Sequence, residues 1–176
     1  MANKLRELLL VRHAKSDWKE PDQEDLDRPL SDKGKKNAKK IGKWLLNQGL
    51  LPDLILVSPA QRAQQTLRRI CSECPALSQT VDALYMAELD TLKQLLSSVE
   101  EANRVMIIGH NPGLEKLFCF LQNKPLEGDT HLFPTASVAH FILPENWHNL
   151  EAGDGILQQF IRPRDIKHSE HSAKTA

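Results

Sequence analysis

Leu8-Leu9-Leu10-Val11 is an unbroken apolar run that ends in Arg12-His13. Such a run suits a strand buried on both faces, and it predicts a first strand over 5–11. Arg12-His13 then stands where the strand leaves the sheet. Further on, Ile41, Trp44 and Leu45 recur at helical spacing. Ser31 can cap that helix, Asp32 favours its first turn, and Gly49 stops it after about Gln48. Gly34 in the first turn costs helix stability, which points to a close contact there. Asp53 to Val57, with Leu-Ile-Leu-Val after the Asp, predicts a second strand. Ser58-Pro59 follows it directly, a cap residue and a proline at the first helical position. The helix predicted from Pro59 to about Ile70 carries Arg62 in its first turn.

Val81 to Tyr85 reads as a short strand, and Asp90 as the cap of a helix bearing Leu92, Leu95, Leu96 and Val99. Arg104 to Gly109 is another buried strand. His110-Asn111-Pro112-Gly113 then repeats the order of strand end, cap and proline, before a helix with Leu114, Leu117, Phe118 and Leu121. The apolar pattern loosens over 123–130. Ser137 to Leu143 alternates as a strand, a turn follows around Pro144, and Ile156 to Ile161 predicts the last strand.

Strand–helix alternation of this kind predicts an α/β fold in three layers, a mainly parallel central sheet with helices on both faces. With 176 residues, no repeat and no Gly/Ser linker, one domain is expected over 1–163, followed by a polar tail over 164–176. The formal net charge of +0 argues against nucleic acid as a partner. No apolar leader and no run near the ~20 residues of a membrane span is seen, so a cytoplasmic location is expected. Three cysteines make no disulfide framework; Cys71 and Cys74 form a lone CxxC, which leaves zinc or redox use open but reads first as two ordinary cysteines near a helix end. His168 and His171 in the tail read as incidental. A monomer is expected, because no exposed apolar helix face stands out.

Arg12, His13, Arg62 and His110 all fall at strand ends or at the helix starts just beyond them. Ligands of open α/β sheets bind at those ends. If the strands are neighbours, two Arg and two His converge. Arginine forks match phosphate oxygens, and helix N-termini favour anions. A histidine held neutral among those cations can act as a nucleophile and form a phosphoenzyme. A second, protonated histidine can stabilise the transferring phosphoryl group. The arginines supply the positive charge, so neither metal nor cofactor is expected. The loop 17–27 carries Asp17, Glu20, Asp22, Glu24, Asp25 and Asp27 against Lys19. It can rim the same site, and its charge can favour a basic docking surface.

The wording of these stretches resembles the histidine phosphatase superfamily. Leu10-Val11-Arg12-His13-Ala14-Lys15-Ser16, with Asp27-Arg28-Pro29-Leu30-Ser31-Asp32-Lys33-Gly34, is similar to its opening motif. Ser58-Pro59-Ala60-Gln61-Arg62-Ala63-Gln64-Gln65-Thr66 is similar to its second, and Gly109-His110-Asn111-Pro112-Gly113 to the one bearing its second histidine. Order and spacing agree from about residue 5 to 143. The Ala14-Lys15-Ser16 and Asp27-Arg28-Pro29-Leu30 wording resembles the SixA-type phosphohistidine phosphatases within it. The resemblance implies a phosphoglycerate mutase-like fold and His13 as nucleophile. It also implies Arg12, Arg62 and His110 on the phosphoryl group, with Ser16 near it.

Two positions depart from the superfamily pattern. Ala14 replaces its usual glycine, as the SixA-like subset tolerates. The nearest match to its acidic proton donor is Glu88, slightly late relative to Met86. A free imidazole titrates near ~6.5, so its release needs a strong acid less than release of an alkoxide does. The expected activity is therefore metal-independent hydrolysis of protein phosphohistidine through phospho-His13. The alternatives are a small-molecule phosphomonoesterase using the same site and a non-catalytic phosphate-binding module. A mutase is disfavoured by the short chain.

Overall fold

The computed structural model describes residues 5–126 and 132–167. Six strands form one sheet in the order β3-β2-β4-β1-β5-β6. They are β1 (Arg6–Arg12), β2 (Leu54–Val57), β3 (Leu77–Thr80), β4 (Arg104–Gly109), β5 (Val138–Leu143) and β6 (Ile156–Ile161). β3, β2, β4 and β1 run parallel, whereas β5 pairs antiparallel with both β1 and β6. The sheet is thus mainly parallel, as expected, with an antiparallel edge.

Helices cover both faces. α1 (Asp32–Asn47) and α2 (Gln61–Ile70) lie on one, and α3 (Leu89–Ser97) and α4 (Gly113–Leu121) on the other. β1 shows why its apolar run is unbroken. Leu9 and Val11 pack with Ile41 and Leu45 of α1, while Leu8 and Leu10 pack with Leu114 and Leu117 of α4. α1 begins as predicted, with the Ser31 Oγ accepting from the Gly34 N–H at 3.1 Å. It ends in a Schellman closure, Leu50 N–H to Leu45 carbonyl and Gly49 N–H to Leu46 carbonyl.

Several expectations need correction. The short strand is Leu77–Thr80, and Asp82–Leu84 is a 3-10 turn instead. β3 is an edge strand exposed along its whole length, so burial imposed no apolar alternation on it. Ser58 does not cap α2, which starts two residues later behind Ala60. α3 starts behind Glu88, with Asp90 inside its first turn. Pro112 precedes α4 and follows a cis peptide bond. Cys71 and Cys74 are joined in a disulfide just past α2, their Cα atoms 5.0 Å apart. Pro163–Asp165 forms a further 3-10 turn, and Ile166 packs on the α1 side of the core. His168 and His171 lie outside the described residues.

Candidate active site

The sheet order answers the question the sequence left open. β2, β4 and β1 are consecutive neighbours, with Val57 beside Ile108 and Arg12 beside Gly109. Their carboxyl ends therefore deliver Ser58, His110 and Arg12-His13 to one edge. A cavity of about 560 Å³ opens there, lined by Arg12, His13, Ser16, Arg62 and His110 among others. All five phosphate-site residues expected from the sequence line it.

His13 is buried, and its Nδ1–H donates to the Ala14 carbonyl at 2.8 Å. A carbonyl only accepts, so this bond fixes the tautomer and leaves the lone pair on Nε2. Burial, against the help of that carbonyl and aided by His110, Arg62 and Arg12, pushes the imidazole down to about 3. His13 is therefore neutral near pH 7. Ala14 is fully buried, and its N–H donates to Thr66 Oγ1 at 3.0 Å. That hydroxyl in turn donates to the Arg62 carbonyl at 2.7 Å, which ties the turn after β1 to α2. Gly34 closes the same turn from the other side. A Cβ on it would sit 2.0 Å from the Lys15 carbonyl oxygen, so the foreseen contact is real.

The second histidine has the opposite tautomer. Arg62 can only donate, so His110 Nδ1 accepts from its Nη2 at 3.4 Å. His110 Nε2–H then donates to Ser58 Oγ at 2.7 Å. Ser58 is thus the anchor of His110 rather than a helix cap. Burial first, and then the charge of Arg62, lower the His110 imidazole to about 4. The two rings lie 5.1 Å apart between centroids.

Arg62 is 2% exposed, and Asp25 holds it twice. Its Nη1 donates to the Asp25 carbonyl at 2.7 Å, and its Nη2 to Asp25 Oδ2 at 3.0 Å. Arg28 donates to Asp25 Oδ1 at 2.9 Å and also to Ser16 Oγ, and the Tyr85 hydroxyl donates to Asp25 Oδ2. Burial opposes the charge on Asp25, but the bonds from Tyr85, Arg28 and Arg62 outweigh it and hold the carboxyl at about 2. Arg12 donates to the Phe133 carbonyl at 2.9 Å. The Nε groups of Arg12, Arg28 and Arg62 are buried without a hydrogen-bond partner among the described residues. The side chains of Arg12, Arg28 and Arg62 all line the cavity, and such a cluster of fixed positive charge suits an anion.

The loop 17–27 does rim the cavity, through Trp18 and Asp25, but sequence reasoning singled out neither residue within it and did not foresee Arg28 or Tyr85 there. Glu88, the nearest match in sequence to the superfamily's proton donor, stands away from the chemistry. Glu88 is largely exposed and pairs with Lys116 at 2.6 Å, and it is not among the residues lining the cavity. Among the described residues, no group of three or more His, Cys, Asp or Glu is placed to hold a metal ion.

Residues 8–90 match the family model of the histidine phosphatase superfamily, branch 1. An uncharacterized protein of Mycobacterium tuberculosis is 32% identical over 168 residues, which cover 88% of this chain and all of that one. The chain belongs to the histidine phosphatase superfamily. Phosphohistidine phosphatase SixA of Escherichia coli is 26% identical over 146 residues, covering 80% of this chain and 84% of SixA. A crystal structure from Agrobacterium tumefaciens, assigned to SixA, superposes with a TM-score of 0.78 at 28% identity. That likeness covers 90% of this chain and 98% of the other. As a member of this superfamily the protein is a phosphatase, with the mixed α/β sheet that its structural neighbours share.

Proposed function

We propose that this phosphatase hydrolyses phosphohistidine on another protein, through a covalent phospho-His13 intermediate and without a metal. The observation that carries the reading is His13 itself, neutral and with its Nδ1–H committed to the Ala14 carbonyl. Its Nε2 lone pair is free to attack phosphorus. As that P–N bond forms, the P–N bond to the substrate histidine breaks. The substrate reacts in the form protonated on its other ring nitrogen, so its imidazole keeps that proton and leaves neutral. His13 becomes a phosphorylated imidazolium, stabilised by the Ala14 carbonyl. Water then attacks phosphorus, the bond to Nε2 breaks, and phosphate and neutral His13 are restored.

Arg12 and Arg62 hold the phosphoryl oxygens and supply the charge stabilisation this transfer needs, and His110 joins them once protonated, its Nδ1–H turning from Arg62 to a phosphoryl oxygen while Nε2–H stays on Ser58. A bound phosphoryl dianion favours the protonated form of His110. Ser16 supports the same wall by holding Arg28. The carboxyl at the cavity, Asp25, is held ionised and has no proton to give. Such a site suits a leaving imidazole and is poorly equipped for an alkoxide. The likeness to SixA supports the same substrate class.

The test compares phosphate release from a phosphohistidine-bearing protein and from an alkyl phosphate ester, glycerol phosphate, in chelator, for wild type and His13→Ala. The expected result is rapid release from the protein, little from the ester, and none by the variant. Turnover of the ester alone would replace this reading with a small-molecule phosphomonoesterase. Phosphate binding without turnover of either would replace it with a binding module.

A further inference from the structure

We propose that Trp18 and Met86 form the leaving-group side of this site and take the imidazole ring of the substrate phosphohistidine. The inference rests on the phosphohistidine reading above. Trp18 is 75% exposed, the highest value among the large exposed apolar side chains of the described residues. Its indole is nevertheless held in place. The Arg28 guanidinium stacks on it at 3.5 Å, and Arg28 is itself bonded to Ser16 and Asp25 inside the cavity. A large aromatic fixed open to water forgoes burial energy, and here it lines the mouth of the catalytic cavity.

Met86 is the second unusual element. It lines the same cavity, is 47% exposed, and has φ +50, a left-handed conformation that non-glycine residues rarely adopt. Both of its neighbours are pinned. The Tyr85 hydroxyl is bonded to Asp25. The Ala87 carbonyl lies so close to Gly113 of α4 that a Cβ there would approach it to 1.8 Å. The chain thus accepts backbone strain and puts a thioether at the cavity instead of in the core.

The cavity has two chemistries. Arg12, His13, Arg62 and His110 form a cationic floor, and Trp18 and Met86 add an aromatic face and a soft apolar group beside it. Phosphoryl oxygens belong on the floor, which leaves the bonded nitrogen and its substituent for the rim. A flat five-membered ring can stack on the open indole face and contact the thioether. An ammonia leaving group can do neither.

The experiment measures kcat/KM on a phosphohistidine peptide and on phosphoramidate for wild type, Trp18→Ala, Trp18→Phe and Met86→Ala. Trp18→Ala is expected to lose about 5- to 10-fold on the peptide and less than about twofold on phosphoramidate, the range of one aromatic contact. Trp18→Phe restores most of the loss, and Met86→Ala loses about threefold on the peptide alone. Equal losses on both substrates, or none on the peptide, would overturn the subsite. Wild type that hydrolyses phosphoramidate but not the peptide would instead overturn the phosphohistidine reading itself.

Discussion

An ordinary imidazole titrates near ~6.5, but the surroundings of His13 and His110 hold them at about 3 and about 4. The unfolded chain therefore takes up protons first as the solution is acidified. Stability from these two groups is fully present above ~6.5 and is lost as pH falls from there through their folded values. The expected outcome is that the ring Cε1–H NMR signals of both histidines keep neutral-form positions from about pH 8 to about pH 5. Over the same series the denaturation midpoint should decline below about pH 6.5. An NMR titration midpoint near 6.5 for either ring would contradict the geometry described.

At this scale the sequence was legible where a residue type is rare and its place on a strand end is clear, as for Arg12, His13, Arg62 and His110. It was not legible in the loop 17–27. Six carboxylates there look equivalent, and only the packing of the 3-10 turn Asp25–Asp27 against α2 selects Asp25 to meet Arg62. Glu88 misled for a related reason. Nearness in sequence to Met86 says nothing about which side of the turn its carboxylate takes, and it takes the side of Lys116.

Among the elements, β1, β4 and β5 were readable because burial leaves its mark in composition. β3 left none, being exposed at every residue. The start of α2 was misplaced because Ser58 serves His110 through its side chain, a tertiary demand that outweighs its local preference for a cap. The Gly34 contact was readable, since glycine in a first turn needs a reason. Gly34→Ala would drive a Cβ to 2.0 Å from the Lys15 carbonyl oxygen. It should cost about 1–3 kcal/mol, read as a lowered denaturant midpoint with unchanged slope. An unchanged midpoint would mean that the turn after β1 yields freely and is no rigid support for His13.

On the scale of the molecule, alternating strands and helices foretold a mainly parallel sheet, and the order β2-β4-β1 supplies what the pattern could not, the adjacency of the three site-bearing strands. The antiparallel β5–β6 edge was beyond it, because strand direction depends on distant chain geometry; the Cys71–Cys74 pair is local, three residues apart, but a lone CxxC does not by itself say whether its thiols are joined. The resulting cavity puts a neutral nucleophile on a floor of fixed positive charge, and the central claim is that this nucleophile takes the phosphoryl group. The most direct measurement is to quench the enzyme during turnover of a phosphohistidine protein, digest it under alkaline conditions, and locate the phosphoryl group by mass spectrometry. The account predicts one acid-labile phosphoryl group on the peptide containing His13, absent from His13→Ala. Turnover with no phosphoenzyme at His13, or with the phosphoryl group on another residue, would contradict it.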